Sequence, residues 1–274
     1  MLDNLFSLQD RVVVITGAAG LLGRMHADAI AAFGGIPVLL DLNLLTVESM
    51  AQALIDRYAV SSVGYAVDIT LESDIQKSCQ AILERYGRID ALINNAANNP
   101  KMESRNGVNF SRLENFPMDT WNADISVGLT GAFLCCKHYG TAISTNSDGG
   151  AILNIASDLG LIAPDQRLYR QPDVPDDQQP VKPVTYSVVK SGLIGLTRYI
   201  ATYWPDRVRC NALCPGGVQA GQPLDFLREV NARIPMGRLA EPDEYQAAVV
   251  FLLSDASRYM NGAILPMDGG RTVW

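Results

Sequence analysis

Short apolar segments alternate with longer amphipathic segments along the chain, and this alternation restricts the fold more than any other feature of the sequence. The short segments are rich in β-branched residues and nearly continuously apolar, which is typical of parallel strands covered on both faces. We predict strands at Arg11–Thr16, Ile36–Asp41, Val63–Val67, Asp90–Asn94, Ala151–Ala156, Arg207–Leu213 and Ala263–Pro266. We predict helices at Leu22–Phe33, Leu45–Tyr58, Glu72–Tyr86, Thr120–Thr145, Val184–Trp204 and Asp243–Leu253. The pattern indicates one α/β domain over 1–274, a doubly wound, mostly parallel sheet of seven strands with helices on both faces.

Two long, polar, proline-containing segments interrupt the alternation, at 98–118 and 159–183. Loops of this length in a compact domain are usually functional or disordered. Both follow predicted strands, so we expect them at the carboxyl edge of the sheet, where such folds bind ligands. We expect a cofactor half over about 1–150 and a catalytic and substrate half over about 151–274, with both loops above the active site.

Composition excludes several classes of function. The formal net charge of −7 and the pI near 4.9 argue against nucleic acid or an anionic membrane as a partner, because phosphates would be repelled. The N-terminus carries Asp3 and Asp10 where a signal peptide needs basic residues, and no apolar run approaches the roughly 20 residues of a membrane helix. Five scattered cysteines and two histidines predict neither a disulfide scaffold nor a metal site. We expect a cytoplasmic protein without a metal.

The segment 16–23, TGAAGLLG, has the position of a nucleotide-binding turn because it follows a predicted strand and opens a predicted helix. Gly17 permits the sharp turn, and Gly23 lets the helix pack close to the sheet. Leu21 and Leu22 can offer backbone N–H groups to a pyrophosphate at the positive end of the helix. The glycine spacing differs from G-x-G-x-x-G, and glycine turns also join strands to helices in proteins without a nucleotide, so the motif needs support.

Asp41 supplies that support, 24 residues after Gly17 at the end of the second predicted strand. A carboxylate there accepts hydrogen bonds from the adenosine ribose hydroxyls and repels a 2′-phosphate. The four following residues, 42–45, include no arginine that would bind NADP. NAD is therefore the predicted cofactor, and the alternative is an aspartate that caps the next helix.

Tyr186 and Lys190 lie four residues apart at the start of the predicted helix Val184–Trp204, so both side chains can reach one site. The ordinary pKa of tyrosine is near 10. A neighbouring cation, together with the charge of a nicotinamide, would lower that pKa and make the phenol a usable general acid or base.

The chain resembles a short-chain dehydrogenase/reductase from about Phe6 to Gly270, and the resemblance depends on the joint order of many motifs. It also resembles the extended forms of that family in the TGxxGxxG spacing of its glycines. The landmarks are TGAAGLLG at 16–23, Asp68-Ile69, Asn94-Asn95-Ala96-Ala97, Ser157, Tyr186, Lys190, Asn211-Ala-Leu-Cys-Pro-Gly-Gly217, Gly237-Arg-Leu-Ala-Glu-Pro242, Phe251-Leu-Leu-Ser-Asp255 and Asp268-Gly-Gly270.

The resemblance implies a Rossmann-type fold and a role for each matching residue. Tyr186 would exchange the proton of the substrate oxygen, Lys190 would lower the pKa of Tyr186 and bind the nicotinamide ribose, and Ser157 would hold the substrate oxygen. The other implied cofactor contacts are Asp68 and Ile69 at the adenine, Asn95 and Ala96 near its ribose, and Pro215, Gly216 and Val218 at the nicotinamide. It also implies a homotetramer, or a dimer, paired through the helices Thr120–Thr145 and Val184–Trp204.

The sequence departs from the family pattern at three places. Gly128 stands where an asparagine commonly anchors a water of the proton relay, and the threonine often found after the Pro-Gly-Gly motif is absent. Ser157 and Tyr186 are 29 residues apart, against about 13 in many relatives. The additional loop carries Arg167, Tyr169 and Arg170, which we expect over the substrate.

The substrate is a small molecule whose class the sequence only suggests. Arg167 and Arg170, with Lys101, Arg105 and Arg112 on the other loop, are candidates to bind phosphate or carboxylate; the alternative is a solvated loop of mixed charge. The stretch Gly217–Phe226 resembles dehydrogenases of bacterial surface-sugar and flagellin-glycan pathways, which suggests a sugar, sugar phosphate or polyol.

Three functions remain open at this stage. The first is an NAD-dependent dehydrogenase of secondary alcohols. The second is a nucleotide-sugar epimerase or dehydratase that keeps its NAD bound, although such enzymes generally have a longer C-terminal substrate domain. The third is a sensor that binds NAD(H) without catalysis, which only Gly128 suggests.

Overall fold

Seven parallel strands form the central sheet of the computed structural model, which describes residues 5–98, 104–105 and 108–274. The strands of this sheet are β1 (Val12–Thr16), β2 (Ile36–Asp41), β3 (Val63–Ala66), β4 (Ala91–Asn94), β7 (Gly150–Ile155), β8 (Val208–Pro215) and β9 (Ile264–Met267). Their spatial order is β3-β2-β1-β4-β7-β8-β9, so the order reverses between β1 and β4. Such a reversal leaves a crevice at the carboxyl ends of the strands. The predicted doubly wound, seven-stranded sheet is confirmed.

A short antiparallel pair, β5 (Ser104–Arg105) and β6 (Val108–Asn109), lies outside this sheet. The helices are α1 (Leu21–Ala32), α2 (Leu44–Tyr58), α3 (Glu72–Tyr86), α4 (Met118–Ile125), α5 (Gly131–Cys135), α6 (Thr141–Ser144), α7 (Val184–Tyr203), α8 (Leu224–Asn231) and α9 (Gln246–Leu253). The segments between α4 and α5 and between α5 and α6 are π-helical, so the predicted helix Thr120–Thr145 is one helical run over 118–144. The sequence analysis did not predict α8.

The central strands are apolar at consecutive positions because each buries both of its faces, whereas the edge strands β3 and β9 are only partly buried. Along β1, Val13 and Ile15 belong to a buried cluster that includes residues of α1, α2 and α9. Val12 and Val14 belong to a second cluster, on α3 and the helical run over 118–144. The two clusters hold the strands in the register that brings their carboxyl ends to one edge. No helix in the described ranges combines the length and hydropathy that crossing a bilayer would need.

His26 on α1 is fully buried, and within the described ranges neither ring nitrogen has a hydrogen-bond partner. Burial lowers its pKa from 6.5 to about 4, because the charged imidazolium is poorly solvated there. The unfolded chain therefore binds the proton first, and the free energy of unfolding should fall as the pH drops from 6.5 to about 4. The loss should reach about 3 kcal/mol.

We expect His26→Met to remove that loss, as measured by urea unfolding across this pH range. His138→Met is the matched control, because the His138 ring is hydrogen-bonded to Glu72 at 2.8 Å and is not a buried unpaired group. If the free energy of unfolding falls equally with pH in the wild type and in His26→Met, the loss does not come from His26.

Candidate active site

A cleft of about 720 Å³ lies along the carboxyl edge of the sheet. Its volume is within the range of about 300–1,000 Å³ that small-molecule and cofactor sites occupy. It is lined by Gly17, Ala19, Gly20, Leu21, Leu22, Asp41, Asn95, Ala96, Ala97, Asn98, Ile155, Ala156, Ser157, Tyr186, Lys190, Pro215, Gly216, Gly217, Val218 and Gln222. The structure thus brings together all but three of the predicted catalytic and cofactor residues. Gly23, Asp68 and Ile69 do not line it.

The turn between β1 and α1 needs glycine at two positions for reasons of fold. Gly17 has φ +62°, and a Cβ there would lie 2.8 Å from the Ala96 Cα. A Cβ on Gly23 would lie 2.3 Å from the Gly17 carbonyl oxygen. Gly20 has an ordinary φ of −71°, and its Cβ would approach only that carbonyl oxygen, at 3.2 Å. A side chain at position 20 would strain the backbone little. The glycine there therefore serves mainly to leave space in the cleft.

The N-terminus of α1 is open to an anion from the cleft. Gly20 is the N-cap residue of α1 and has no side chain to cap the helix, and the first turn contains no acidic residue. The first N–H groups of a helix lack intrahelical partners and carry partial positive charge. An uncapped helix end against a glycine cradle fits the pyrophosphate of a dinucleotide.

Asp41 lies at the adjoining end of β2 and also supports the glycine turn. Its carboxylate accepts hydrogen bonds from the Ala19 N–H at 3.0 Å and the Leu42 N–H at 2.8 Å. Asn43, not Asp41, caps α2, with its side-chain oxygen 3.1 Å from the Thr46 nitrogen. The helix-capping alternative for Asp41 is therefore wrong, and its carboxylate faces the cleft.

The side chains of Asn95 and Asp68 form hydrogen bonds that hold neighbouring backbone segments in place. The Asn95 amide donates to the carbonyl oxygens of Thr16 and Gly17, each at 3.0 Å, and so ties β4 to the glycine turn. The Asp68 carboxylate accepts from the Thr70 N–H at 2.9 Å and the Thr70 hydroxyl at 2.7 Å. Ile69 is buried in the core.

Ser157, Tyr186 and Lys190 meet where β7 ends and α7 begins. The Tyr186 hydroxyl donates to the Ser157 Oγ at 3.4 Å. The Lys190 Nζ donates to the Ile155 carbonyl oxygen at 2.8 Å and lies 5.9 Å from the centre of the Tyr186 ring. Burial lowers the pKa of Lys190 to about 8.

The pKa of Tyr186 does not shift in the expected direction. Burial raises it above 10, and the hydrogen bond with Ser157 offsets only part of that shift. Desolvation of the phenolate outweighs the Ser157 hydrogen bond and the Arg271 cation, and the lowering of this pKa by Lys190 together with a nicotinamide charge stays a prediction.

Asp158 and Arg271 form a buried ion pair directly behind Ser157. The Arg271 Nη1 lies 3.0 Å from one oxygen of the Asp158 carboxylate, and both side chains are nearly inaccessible. The other oxygen accepts from the Ser157 hydroxyl at 2.7 Å and the Leu159 N–H at 2.8 Å. The pair therefore orients the Ser157 hydroxyl. Sequence reasoning missed it because the partners are 113 residues apart.

Sequence reasoning also missed Lys182. This lysine lies four residues before Tyr186, and Lys190 lies four residues after it. Its Nζ is 3.8 Å from the centre of the Tyr186 ring, a cation–π contact. The Lys182 N–H donates to the Gln166 Oε1 at 2.8 Å, and the Val181 N–H donates to the Ser111 Oγ at 3.0 Å. Residues 181–182, at the end of the second long loop, are thus held by hydrogen bonds to side chains of both long loops.

Gly128 faces α7 in the π-helical turn Ser126–Thr130, and a Cβ there would lie 2.5 Å from the Val189 Cγ1. Val189 therefore occupies the space that the asparagine of the family would need. A cavity of about 10 Å³, near the minimum for one water, lies beside Gly128 and reaches Asp124, Tyr186 and Lys190. The buried Asp124 accepts hydrogen bonds from the Thr185 hydroxyl and the Asn98 amide.

The two loop arginines do not line the cleft. Arg167 pairs with Asp165 at 2.8 Å and is 76% exposed, and Arg170 lies 3.5 Å from Asp176 and is 63% exposed. Tyr169 packs against Phe226 of α8, with ring centres 6.1 Å apart. Arg112 contacts Glu114 and the Asp176 carbonyl oxygen. Lys101 and the Arg105 side chain lie outside the described residues.

Comparison with known proteins agrees with this geometry. The family described as short chain dehydrogenase matches residues 11–169, and that described as enoyl-(acyl carrier protein) reductase matches 177–272. The chain is 33% identical to D-threitol dehydrogenase of Mycolicibacterium smegmatis over 98% of this chain and 95% of that protein. It is 30% identical to NAD-dependent glycerol dehydrogenase of Listeria innocua over 99% and 97%. A gluconate 5-dehydrogenase structure from Burkholderia cenocepacia, in complex with NADP and tartrate, superposes with a TM-score of 0.85 at 25% identity, over 100% of both chains.

Proposed function

The chain belongs to the short-chain dehydrogenase/reductase family, and we propose that it interconverts a secondary alcohol and a ketone with NAD(H), on a small polyhydroxylated substrate. The observation that carries the proposal is the 3.4 Å contact between the Tyr186 hydroxyl and the Ser157 Oγ. That contact lies in the same cleft as Lys190, the glycine cradle and Asp41. A proton-transfer group and a dinucleotide cradle in one cleft are the two parts that a nicotinamide-dependent oxidoreductase needs.

Tyr186 acts as the general base in oxidation and the general acid in reduction. In oxidation the phenolate takes the hydroxyl proton of the substrate, and the carbonyl double bond forms as the carbinol C–H bond breaks. The positive charge of Lys190 favours the phenolate, against the burial that disfavours it. Ser157 would hold the substrate oxygen beside Tyr186 once its hydroxyl turns from Asp158 to donate to that oxygen.

A nicotinamide cofactor supplies the acceptor for the hydride that leaves the carbinol carbon. We assign its pyrophosphate to the N–H groups of Leu21 and Leu22, beside Gly17 and Gly20. Asp41 would accept the adenosine ribose hydroxyls, which favours NAD over NADP. The remaining assigned contacts are Asn95 and Ala96 at the adenosine end, and Lys190, Pro215, Gly216 and Val218 at the nicotinamide end, while Asp68 and Ile69 support the adenine side from outside the cleft lining.

Asp124 offers a route for the proton beyond Tyr186. Its carboxylate, Lys190 and Tyr186 line one small cavity with about the volume of one water, and a water there would connect them. We propose that this route replaces the proton relay that the family commonly builds on an asparagine at the position of Gly128. The sensor function, which depended on Gly128 alone, has no support in the geometry.

The test of the proposed function is a panel of C3–C6 alditols and aldonates with NAD and with NADP. Net appearance of NADH with a member of the panel supports it. Substrate conversion without a net change in NADH absorbance identifies an epimerase instead. Tight NAD binding without conversion of any member indicates a sensor.

Assembly into a homotetramer is part of the proposal. Phe133 on α5 and Tyr199 and Tyr203 on α7 are exposed by 49%, 61% and 57%, on the helices that relatives pair across subunits. We expect light scattering to give four times the mass of the 29.7-kDa chain. We also expect Tyr199→Glu to reduce that mass, while Tyr259→Glu, a change at an exposed tyrosine outside these helices, leaves it unchanged. A monomeric wild-type mass would contradict the assembly.

A further inference from the structure

The surroundings of Tyr186 hold more positive than negative charge. Lys182 and Lys190 lie 3.8 and 5.9 Å from the centre of the Tyr186 ring. Asp158 and Arg271 also act on Tyr186 electrostatically. Three cations and one anion therefore surround the group that exchanges the proton.

Two of the three cations already have a function. Arg271 neutralises Asp158 through the ion pair at 3.0 Å. Lys190 donates to the Ile155 carbonyl oxygen and faces the cofactor cleft. The Lys182 ammonium has neither a carboxylate within 4.0 Å nor a hydrogen-bond acceptor among the residues that the structure describes. It is the cation left for a ligand.

The position of Lys182 is fixed and not that of a loose surface side chain. The backbone of 181–182 is held by Ser111 from one long loop and Gln166 from the other. Pro183 follows directly, and α7 begins at Val184. Burial lowers the pKa of Lys182, although Asp158 partly offsets this. An ammonium that has lost part of its hydration and has no carboxylate within 4.0 Å gains most from an anionic ligand.

We propose that Lys182 binds a carboxylate of the substrate, so that the preferred substrate is a small hydroxy acid and not a neutral polyol. This inference rests on the proposed oxidation at Tyr186. A carboxylate carries one charge and matches one ammonium, whereas a phosphate monoester carries about −1.5 to −2 at neutral pH. Arg167 and Arg170 have no part in it, since their charges are paired outside the cleft.

The test compares matched neutral and anionic substrates: threitol with threonate, and xylitol with xylonate, each with NAD. We expect the wild type to prefer the aldonates. Loss of one charge-assisted hydrogen bond in Lys182→Met should lower their kcat/KM by about 10- to 100-fold, mainly through KM. The alditols should lose only about two- to fivefold, because for them the substitution removes just the contact between Lys182 and the Tyr186 ring. Lys182→Arg should restore most of the aldonate preference. Lys77→Met, at an exposed lysine on α3, is the control of equal charge loss.

Calorimetric titration of threonate into the protein, with and without NADH, tests the anion site separately from turnover. We expect binding to the wild type and to Lys182→Arg and its loss in Lys182→Met, with unchanged melting temperatures. If no panel member reduces NAD but this binding pattern holds, the proposed function fails and the anion site stands.

Three results would overturn the inference while the proposed function stands. The first is a wild type that oxidises alditols at least as well as aldonates. The second is an equal loss on both substrate classes in Lys182→Met, which would show that the lysine acts only through the Tyr186 ring. The third is tighter Lys182-dependent binding of threitol 4-phosphate than of threonate.

Discussion

Tyr186→Phe should lower kcat/KM for alcohol oxidation by about 10²- to 10⁴-fold, the range that a positioned general acid or base contributes. Phenylalanine keeps the ring that packs under the Lys182 ammonium and removes only the hydroxyl that contacts Ser157. Lys190 and the glycine cradle are unchanged, so the affinity for NADH should stay within about threefold of the wild-type value. Effects of this size are usual for a substitution that removes no important contact. Steady-state kinetics and a fluorescence titration of NADH measure the two quantities.

Tyr259→Phe is the matched control, because Tyr259 is fully exposed and away from the cleft. It should leave both quantities unchanged. Retention of most of the activity in Tyr186→Phe would mean that another group exchanges the proton. An equal fall in NADH affinity would mean that the substitution disturbs the cofactor site.

Asp41→Ser should reverse or erase the preference for NAD. Hydrogen bonds to a charged group contribute about 1.5–3 kcal/mol, so kcat/KM for NAD should fall by about 10- to 150-fold. Use of NADP should improve, because the repulsive carboxylate is gone and Arg24, whose Nε donates to the Ala19 carbonyl oxygen at 2.8 Å, is already on the same turn.

Asp41 also accepts hydrogen bonds from the Ala19 and Leu42 N–H groups, so its substitution has a structural cost. The melting temperature of each variant and the ratio of NAD to NADP kinetics separate the two effects, since a structural loss weakens both cofactors alike. Asp206→Ser, at an exposed aspartate after α7, is the control. An unchanged NAD-to-NADP ratio in Asp41→Ser would refute the role of this carboxylate.

The sequence allowed the sheet to be predicted because its five central strands are buried on both faces and its two edge strands, β3 and β9, are still largely apolar. β2 and α3 begin and end where their patterns predicted, and the other strand ends differ by one or two residues, within the scatter of helix and strand assignment. α8, over Leu224–Asn231, does not correspond to any predicted helix. Its amphipathic pattern was the available signal.

The site was predictable only where its residues are close along the chain or belong to a motif. Tyr186 and Lys190 share a helix face, and Asp41 follows a strand next to the glycine turn. Arg271 and Asp158 meet only through the fold, so no local pattern indicates their ion pair. The loop arginines instead pair with acidic residues close in the sequence, Arg167 with Asp165 and Arg170 with Asp176, which agrees with the alternative of a solvated loop of mixed charge.

The central claim is that a hydride passes from a carbinol carbon to a nicotinamide under the control of Tyr186. Threitol, xylitol and threonate deuterated at their secondary carbinol carbons, incubated with the protein and NAD, test it directly by mass spectrometry of the cofactor. We predict deuterium at C4 of the nicotinamide in NADH, with an equal amount of ketone, and almost none with Tyr186→Phe. Unlabelled cofactor alongside an epimerised substrate, or label transfer that persists in Tyr186→Phe, would contradict the account.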